Sequence, residues 1–388
     1  MSEPVLIAGG GIAGLALALA LAKIGRRSTV LEQRDSFGGA GAGIQLGPNG
    51  VRVLQRLGLA EAMRPAVGVP DALAVHHGAT GRTLAVLPLG RWIAARHGAP
   101  YWVVHRADLH AVLADAAAAE PLVALQPGFA LASLVETNAG VEAKSTRDVV
   151  LAGRALVGAD GLWSAVRHVI APNHAPQFVG STATRTVIPV AQAGRLALPA
   201  VGLWLTPGAN VVHYPVRGGS EIAAVIIAVE AWQGREWEVA TDRASLINRL
   251  CTFHASLAEP LATATEWRKW ALYRLPPLPH WAAGRVALMG DAAHPMLPHL
   301  AQGGVLALED AIALADQLAA HPDNEAHAFI AFEAKRRRRA QRVAAISRLN
   351  GRVYHLAPPL SWARDGMLRL LPGSWLMAGY DWLYGWRG

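Results

Sequence analysis

Residues 4 to 8 read as a short apolar strand, and Gly9-Gly10-Gly11-Ile12-Ala13-Gly14 follows at once, leading into an Ala/Leu-rich helix that reaches about Ile24. Gly9, Gly11 and Gly14 keep the G-x-G-x-x-G spacing in the context that gives it meaning, a strand before and a helix after. Such a turn leaves unpaired backbone N–H groups at the positive end of a helix, where a pyrophosphate binds. A second strand, residues 28 to 31, ends at Glu32. That places a carboxylate roughly twenty residues past the triad, as expected of a group that holds adenosine ribose hydroxyls. The combination commits the start of the chain to a doubly wound parallel α/β sheet carrying a dinucleotide. Glu32, with only Arg34 near it as a partner for a 2′-phosphate, argues against an NADP-type site here.

Residues 285 to 314, RVALMGDAAHPMLPHLAQGGVLALEDAIAL, repeat the idea in another form. A buried strand over 286 to 289 stops at Gly290-Asp291, a loop runs through Pro298 to Gln302, and Gly303-Gly304 open a helix carrying Glu309 and Asp310. A strand-end carboxylate accepts hydrogen bonds from ribose or ribityl hydroxyls. The N–H groups of the helix start suit an anion or the electron-rich edge of an isoalloxazine ring. The plain alternative is an ordinary strand-loop-helix crossover. Residues 155 to 161 supply a further apolar strand, ending at Gly158-Ala159-Asp160. Two strand-end carboxylates and a glycine triad imply an extended ligand with both phosphate and polyol parts.

Between these motifs the glycine-rich segment 36 to 50, SFGGAGAGIQLGPNG, is either a packed linker or a stretch whose backbone approaches a ligand closely. In the second case Gly43 and Gln45 line the pocket. Arg106, at the head of a helix expected over 107 to 119, is a surface arginine or reaches a pyrophosphate. Residues 71 to 88 form a hairpin around Gly78 to Gly81, and 122 to 157 suggest a small antiparallel sheet inserted in the first domain. From 179 to 275 alternating segments separated by Pro207-Gly208-Ala209-Asn210 and Arg217-Gly218-Gly219-Ser220 predict a meandering antiparallel sheet, joined by the 71 to 88 hairpin. Within it, His213-Tyr214-Pro215 draws attention. A histidine can take a phenolic proton near neutral pH, although a strand histidine that merely hydrogen-bonds is the blander account.

A chain of 388 residues with 52% hydrophobic and 16% charged residues has a large interior and calls for two domains, here interleaved. The expected architecture is α/β. A Rossmann-like dinucleotide-binding domain comprises residues 1–70, 101–178 and 276–325, a smaller α+β antiparallel-sheet substrate domain 71–100 and 179–275, and a C-terminal helical segment 326–388. The net charge of +8 is concentrated in Lys335-Arg336-Arg337-Arg338-Arg339, Arg342 and Arg348, read as the solvated face of a long helix over 327 to 349 rather than a nucleic-acid patch, which would need interleaved stacking aromatics. Cys251 is the single cysteine, so neither an internal disulfide nor a cysteine metal cluster forms, and no metal site is expected. The start lacks a basic signal region, no apolar run spans a bilayer, and a cytoplasmic protein is expected. The aromatic tail with Trp375, Tyr380, Trp382, Tyr384 and Trp386 suggests packing on the body or a homodimer contact.

Taken together, GGGIAGL with Glu32 and Arg34, GAGIQLGPN from Gly41, HRADLHAVL from His105, LVGADGLWSAVR from Leu156, HYPVRGG from His213, and MGDAAHPMLPHLAQGG from Met289 carry a resemblance over nearly the whole chain. The sequence resembles single-component FAD-dependent aromatic hydroxylases of the 4-hydroxybenzoate hydroxylase superfamily, in particular the 3-hydroxybenzoate 6-hydroxylase and salicylate hydroxylase branch. The resemblance implies that Gly9, Gly11, Ile12, Ala13 and Gly14 carry the FAD pyrophosphate, with Glu32, Gln33 and Arg34 at the adenosine ribose. It also implies that Arg106, Asp160, Gly290 and Asp291 serve the phosphate and ribityl parts, with Asp160 contacting NAD(P)H as well. Gly43, Pro298, Gln302, Gly303 and Gly304 would surround the flavin ring. His213 matches the branch's phenol base, and Gln302 would hold the substrate or the flavin edge. Substrate contacts would come from Gln45, Arg185, Tyr214, Arg217 and His299. Trp163 and His299 depart from the family pattern. The implied reaction reduces FAD with NADH or NADPH, adds O2 to form a flavin hydroperoxide, and hydroxylates a phenolic acid. Rival readings are a hydroxylase of an N-heteroaromatic, a flavin-free dehydrogenase, and a flavoprotein without hydroxylase activity.

Overall fold

A computed structural model of the chain describes residues 3–38, 41, 43–232, 238–241 and 243–388. Gly39, Ala40 and Ala42 of the glycine-rich segment therefore lie outside the described residues. The central sheet has six strands in the order Ala282–Ala283, Val286–Leu288, Ala155–Gly158, Val5–Ala8, Ser28–Leu31, Val123–Gln126, and every neighbouring pair but the first is parallel. The glycine turn, Asp160 and Gly290-Asp291 follow three adjacent strands of this sheet, so all lie at one sheet edge. The helix Ile12–Lys23 packs on the helix Gly303–Ala320 and is buried nearly all round, with Leu15, Leu17 and Leu21 at 0% exposure. Full burial of each such leucine contributes about 1.5–3 kcal/mol, and an Ala/Leu sequence without polar stripes permits it.

Two expectations about strands need correction. Val123–Gln126 does not join the small antiparallel sheet, which consists of Leu131–Glu136, Val141–Ser145 and Val150–Gly153; it pairs in parallel with Ser28–Leu31. A parallel neighbour needs a crossover, and the helix Arg106–Ala119 just before it provides one. The second sheet is not purely antiparallel either. Its eight strands run Glu238–Ala240, Arg268–Arg274, Gln177–Pro189, Glu221–Val229, Ala209–Val216, Ala200–Thr206, Ala72–His77, Thr83–Pro88, and Ala200–Thr206 pairs in parallel with Ala72–His77.

Strand alternation gives this sheet two faces. Leu203, Leu205, Tyr214, Val216 and Ala223 belong to the main core shared with the six-stranded sheet, whereas Trp204, Val211, Ile222, Ala224 and Ile226 form a second core with Leu246, Leu250, Leu257 and Leu261. A small third cluster, Ala183, Val225 and Ile227, stands apart from both.

The basic run is a solvated face only in part: Lys335, Arg338, Arg342 and Arg348 are exposed, but Arg336 and Arg339 are not. In the helix Glu325–Tyr354, Arg336 is 1% exposed; its Nε donates to Asp310 Oδ1 at 2.7 Å and its Nη2 lies 2.8 Å from Glu309 Oε2, while Arg339 reaches Glu309 at 2.7 Å. Helical spacing puts Arg336 and Arg339 on one side, opposite the two acids of the helix Gly303–Ala320, and leaves Lys335 and Arg338 in solvent. The tail folds back over this network, with Arg342 3.9 Å from the Trp382 ring centre and Arg336 5.2 Å from that of Trp386. Trp362 and Trp375 remain exposed. Among the described residues no helix is long and apolar enough to cross a membrane.

Candidate active site

The glycine turn divides its labour. A Cβ on Gly9, whose φ is +110°, would lie 2.5 Å from Ala159 O, and one on Gly14 would lie 2.0 Å from Gly9 O, so both positions are closed to any side chain. Gly11 has nothing within 4 Å and caps the helix without a side-chain partner, so its surface and the N–H groups behind it are open to a ligand. Ile12 is buried and Ala13 partly so beneath them. Glu32 accepts from Gly10 N–H at 2.9 Å and from Arg34 N–H at 3.0 Å, which fixes its carboxylate at the turn; Gln33 and Arg34 are exposed beside it. His110, not singled out from the sequence, braces the turn through Nε2 to Gly10 O at 2.7 Å. Asp160 accepts from Val166 N–H at 3.1 Å, while its Oδ1 is buried without a partner among the described residues. Burial pushes its carboxyl upward against the hydrogen bonds that lower it.

The second end is built around Gly290, whose φ is +57° and whose N–H donates to Asp310 Oδ2 at 3.0 Å. Asp310 also takes His294 Nε2 at 2.6 Å; burial alone would raise it, yet His294 and Arg336 hold it down to about 2. Asp291 stays accessible, although the protein around it raises its carboxyl through burial, with His294 and Arg106 opposing. An accessible carboxylate deep among protein atoms and close to a cation marks a cleft. Gly303-Gly304 begin the helix with no acidic residue in its first turn, and a Cβ on Gly304 would meet Ile44 at 2.5 Å. Pro298 is half-buried ahead of it. Gln302 is 1% exposed: its Oε1 accepts from Asn49 Nδ2 at 3.0 Å, and the same Asn49 amide donates to Glu309 at 2.7 Å. Its side chain therefore anchors the loop and does not reach into open space. The open turn at Gly11, the orphaned Asp160 oxygen and the accessible Asp291 fit a dinucleotide with a polyol arm, such as FAD.

One face of the eight-stranded sheet packs on the main core beside Gly43, and its strand directions displace the expected catalytic base. Tyr214 is on the cofactor-domain face: a Cβ on Gly43 would strike its ring at 2.2 Å. His213, one residue earlier, must point the opposite way. It lies in a niche left by Gly202, where a Cβ would be 2.0 Å from its Nε2, with Trp204 at 6.4 Å between ring centres. Burial, then His76, drives it down to about 3. His213 thus belongs to the far face of the sheet and does not reach the cleft. Arg217 is also outside it, in a hairpin turn at φ +52°, bonded to Glu221 at 3.0 Å and near Asp108 at 3.8 Å.

Arg185 does share the cofactor-domain face, opposite Val225, with its guanidinium 4.8 Å from the Trp270 ring centre. Gln45 is buried and accepts from Tyr101 OH at 2.6 Å. His299 is 8% exposed and lies edge-on to His355 at 5.7 Å; burial, then His355, lowers it to about 4. His355 Nε2 in turn meets Asn210 Oδ1 at 2.9 Å. Asn210 and Tyr214, four positions apart on one strand, share a face. The apolar floor of Ala183, Val225 and Ile227 is thereby bordered by Arg185, Tyr214, Asn210 and His299, and a cavity of about 500 Å³ opens beside it between Phe178, Leu297, His299 and Arg352. Asn210 and His355 escaped sequence reasoning because they are 145 residues apart, although strand parity alone separates His213 from Tyr214.

Known proteins match this arrangement. The family described as FAD binding domain covers residues 2–347. The 3-hydroxybenzoate 6-hydroxylase of Klebsiella oxytoca is 32% identical over 98% of this chain and 96% of its own length. The 3-hydroxybenzoate 6-hydroxylase 1 of Aquipseudomonas alcaligenes is 34% identical over 99% and 98%. A salicylate hydroxylase solved as a substrate complex superposes with a TM-score of 0.82 at 25% identity, covering 99% of this chain and 96% of that one. On the strength of these matches, the chain belongs to the FAD binding domain family.

Proposed function

We propose that this protein is an FAD-dependent monooxygenase that uses NAD(P)H, with NADH favoured, and O2 to hydroxylate a phenolic aromatic acid of the 3-hydroxybenzoate or salicylate type. The observation that carries the reading is the contact of Gly43, whose strand partner His105 precedes Arg106, with Tyr214 at the border of the apolar floor, where an added Cβ would lie 2.2 Å from the tyrosine ring. Gly9, Gly11 and Gly14 with Ile12 and Ala13 hold the pyrophosphate; Glu32, Gln33 and Arg34 border the adenosine ribose; Arg106, Asp160, Gly290 and Asp291 take the ribityl side. Gly43, Pro298, Gly303 and Gly304 frame the ring, and Gln302, fixed by Asn49, positions their loop. Bound FAD supplies hydride acceptance and oxygen activation.

The residues of the chain do the rest. The floor of Ala183, Val225 and Ile227 receives the ring and excludes water. Arg185 takes the carboxylate by charge-assisted hydrogen bonds, held flat by Trp270. His299, neutral at pH 7, accepts a hydrogen bond from the phenol, and Tyr214 and Gln45 close the near side. The 1–70, 101–178 and 276–325 segments act as the cofactor domain, 71–100 and 179–275 as the substrate domain, and 326–388 as the helical brace. A cytoplasmic location belongs to this proposal, and the exposed Trp362, Leu370 and Trp375 support a homodimer.

The test is NADH oxidation by the FAD-loaded protein against hydroxylated benzoates and hydroxypyridines, with products identified by chromatography. One benzoate that stimulates oxidation and yields a matching amount of hydroxylated product upholds the proposal. A yellow protein that hydroxylates only the pyridines, or nothing, sinks it.

A further inference from the structure

The mouth of the 500 Å³ cavity carries three arginines, Arg274, Arg348 and Arg352. All three are exposed, and the cavity lining holds no aspartate or glutamate. Arg348 and Arg352 sit one turn apart on the helix Glu325–Tyr354, so their like charges face the same side and destabilise the helix unless an anion lies between them. Neither makes an ion pair among the described residues, and Arg274 bonds only the neutral Gln177, at 3.1 Å. More than two turns earlier on the same helix, Arg336, Arg337 and Arg339 each have a carboxylate partner, whereas Lys335, Arg338 and Arg342 have none among the described residues. A second, independent feature lies further in. His299 lines the same cavity, is 8% exposed, and has a buried Nδ1 without a partner among the described residues. Phe178, Leu297 and Val229 make the rest of the wall apolar.

Cations at the rim, an apolar throat and a buried ring nitrogen at the bottom describe a ligand with one charged end and one flat apolar end. We propose that Arg274, Arg348 and Arg352 form an anion gate that captures the carboxylate of an aromatic acid and admits its ring toward His299. The inference rests on the hydroxylase reading for the identity of the ring, but the gate itself is a binding property. Exposed cations raise the capture rate of an anion and lose that effect as salt screens them. A neutral aromatic of the same shape gains nothing from the gate.

The experiment uses the full-length, FAD-loaded protein and the R348Q/R352Q and R274Q variants, without NADH so that nothing turns over. Binding of 3-hydroxybenzoate and of its neutral amide is followed through the flavin absorbance. The expected result is a Kd for the acid raised about tenfold in R348Q/R352Q, equivalent to one decade of affinity, a smaller rise in R274Q, a shallower salt dependence, and an unchanged Kd for the amide. Equal weakening of acid and amide, no weakening of either, or wild-type binding of neither probe overturns the gate. In a separate assay with NADH supplied, a raised KM for NADH together with unchanged acid binding overturns it too, since the arginines would then serve the dinucleotide. If the acid binds through the arginines yet no hydroxylated product forms when NADH is added, the gate stands and the hydroxylase reading falls.

Discussion

The cofactor half and the substrate sheet of this molecule encode their sites in different ways. In the cofactor half the chemistry is carried by backbone: a Cβ added at Gly9 or Gly14 would lie 2.5 or 2.0 Å from a backbone oxygen, so neither position takes a side chain, and Gly11 is left open for a ligand. In the substrate sheet it is carried by which way a side chain points, and a shift of one residue moves a group to the other face. The first kind of site leaves a mark in sequence spacing, and the second leaves almost none.

The strongest way to break this contrast is at the turn itself. Gly14→Val places a side chain against Gly9 O and should abolish FAD retention and fold stability together, read as loss of yellow colour and of a cooperative thermal transition. Gly11→Ala meets open space, so it should fold with unchanged thermal stability as apoprotein while binding FAD more weakly. If both variants fold and bind alike, backbone packing is not what sets the triad.

Next in size is the buried charge network that ties the cofactor loop to the C-terminal helix. Arg336→Ala leaves Glu309 and Asp310 buried with one cation fewer and should cost about 3–5 kcal/mol in denaturant unfolding. The same network predicts a pH dependence. Asp310 sits at about 2 in the fold against a reference of 3.8, a depressed carboxylate whose stabilisation is complete above the unfolded value and lost as pH falls from about 4 toward 2. That loss amounts to about 2 kcal/mol and should shrink in Asp310→Asn.

This network also shows why a solvated face describes only part of the long basic run. The sequence specifies a helix with arginines at helical spacing, but whether they meet water or carboxylates depends on the helix opposite. Glu309 and Asp310 come from the helix Gly303–Ala320, and that pairing is decided only by packing. The glycine turns and most individual strands are readable because each is set by local pattern, whereas the parallel pairings of Val123–Gln126 with Ser28–Leu31 and of Ala200–Thr206 with Ala72–His77 are set by distant partners. The third side of the pocket is not readable either, since Asn210 and His355 are joined by one hydrogen bond across 145 residues.

His299 gives a smaller acid effect of its own. Its value is depressed to about 4 from 6.5 by burial and by His355, so its contribution is present above about 6.5 and is lost as pH falls toward 4. The loss should not exceed roughly 3 kcal/mol and should be absent in His299→Phe, measured by unfolding at pH 7 and pH 4.5. If the wild type is no more acid-labile than His299→Phe, the ring is solvated in a way its burial contradicts.

The smallest expected effect is the most diagnostic for the sheet. Tyr214 and His213 are adjacent, yet one presses on Gly43 of the cofactor domain and the other fills the niche at Gly202. Tyr214→Phe removes a hydroxyl beside the pocket and should lower kcat/KM for the aromatic acid by about tenfold, the weight of one hydrogen bond. His213→Asn keeps a polar group in the far-face niche and should leave kcat/KM per bound FAD, and its pH profile, within about twofold, while thermal stability falls modestly through the smaller side chain. A flat pH profile alone would not suffice, because His213 is held neutral near pH 7 in either case. The comparison therefore turns on the ratio of the two variants. A His213→Asn enzyme that loses more turnover than Tyr214→Phe, with FAD fully retained, would mean that the sheet presents its opposite face to the substrate, and that strand parity has been assigned one residue out of register.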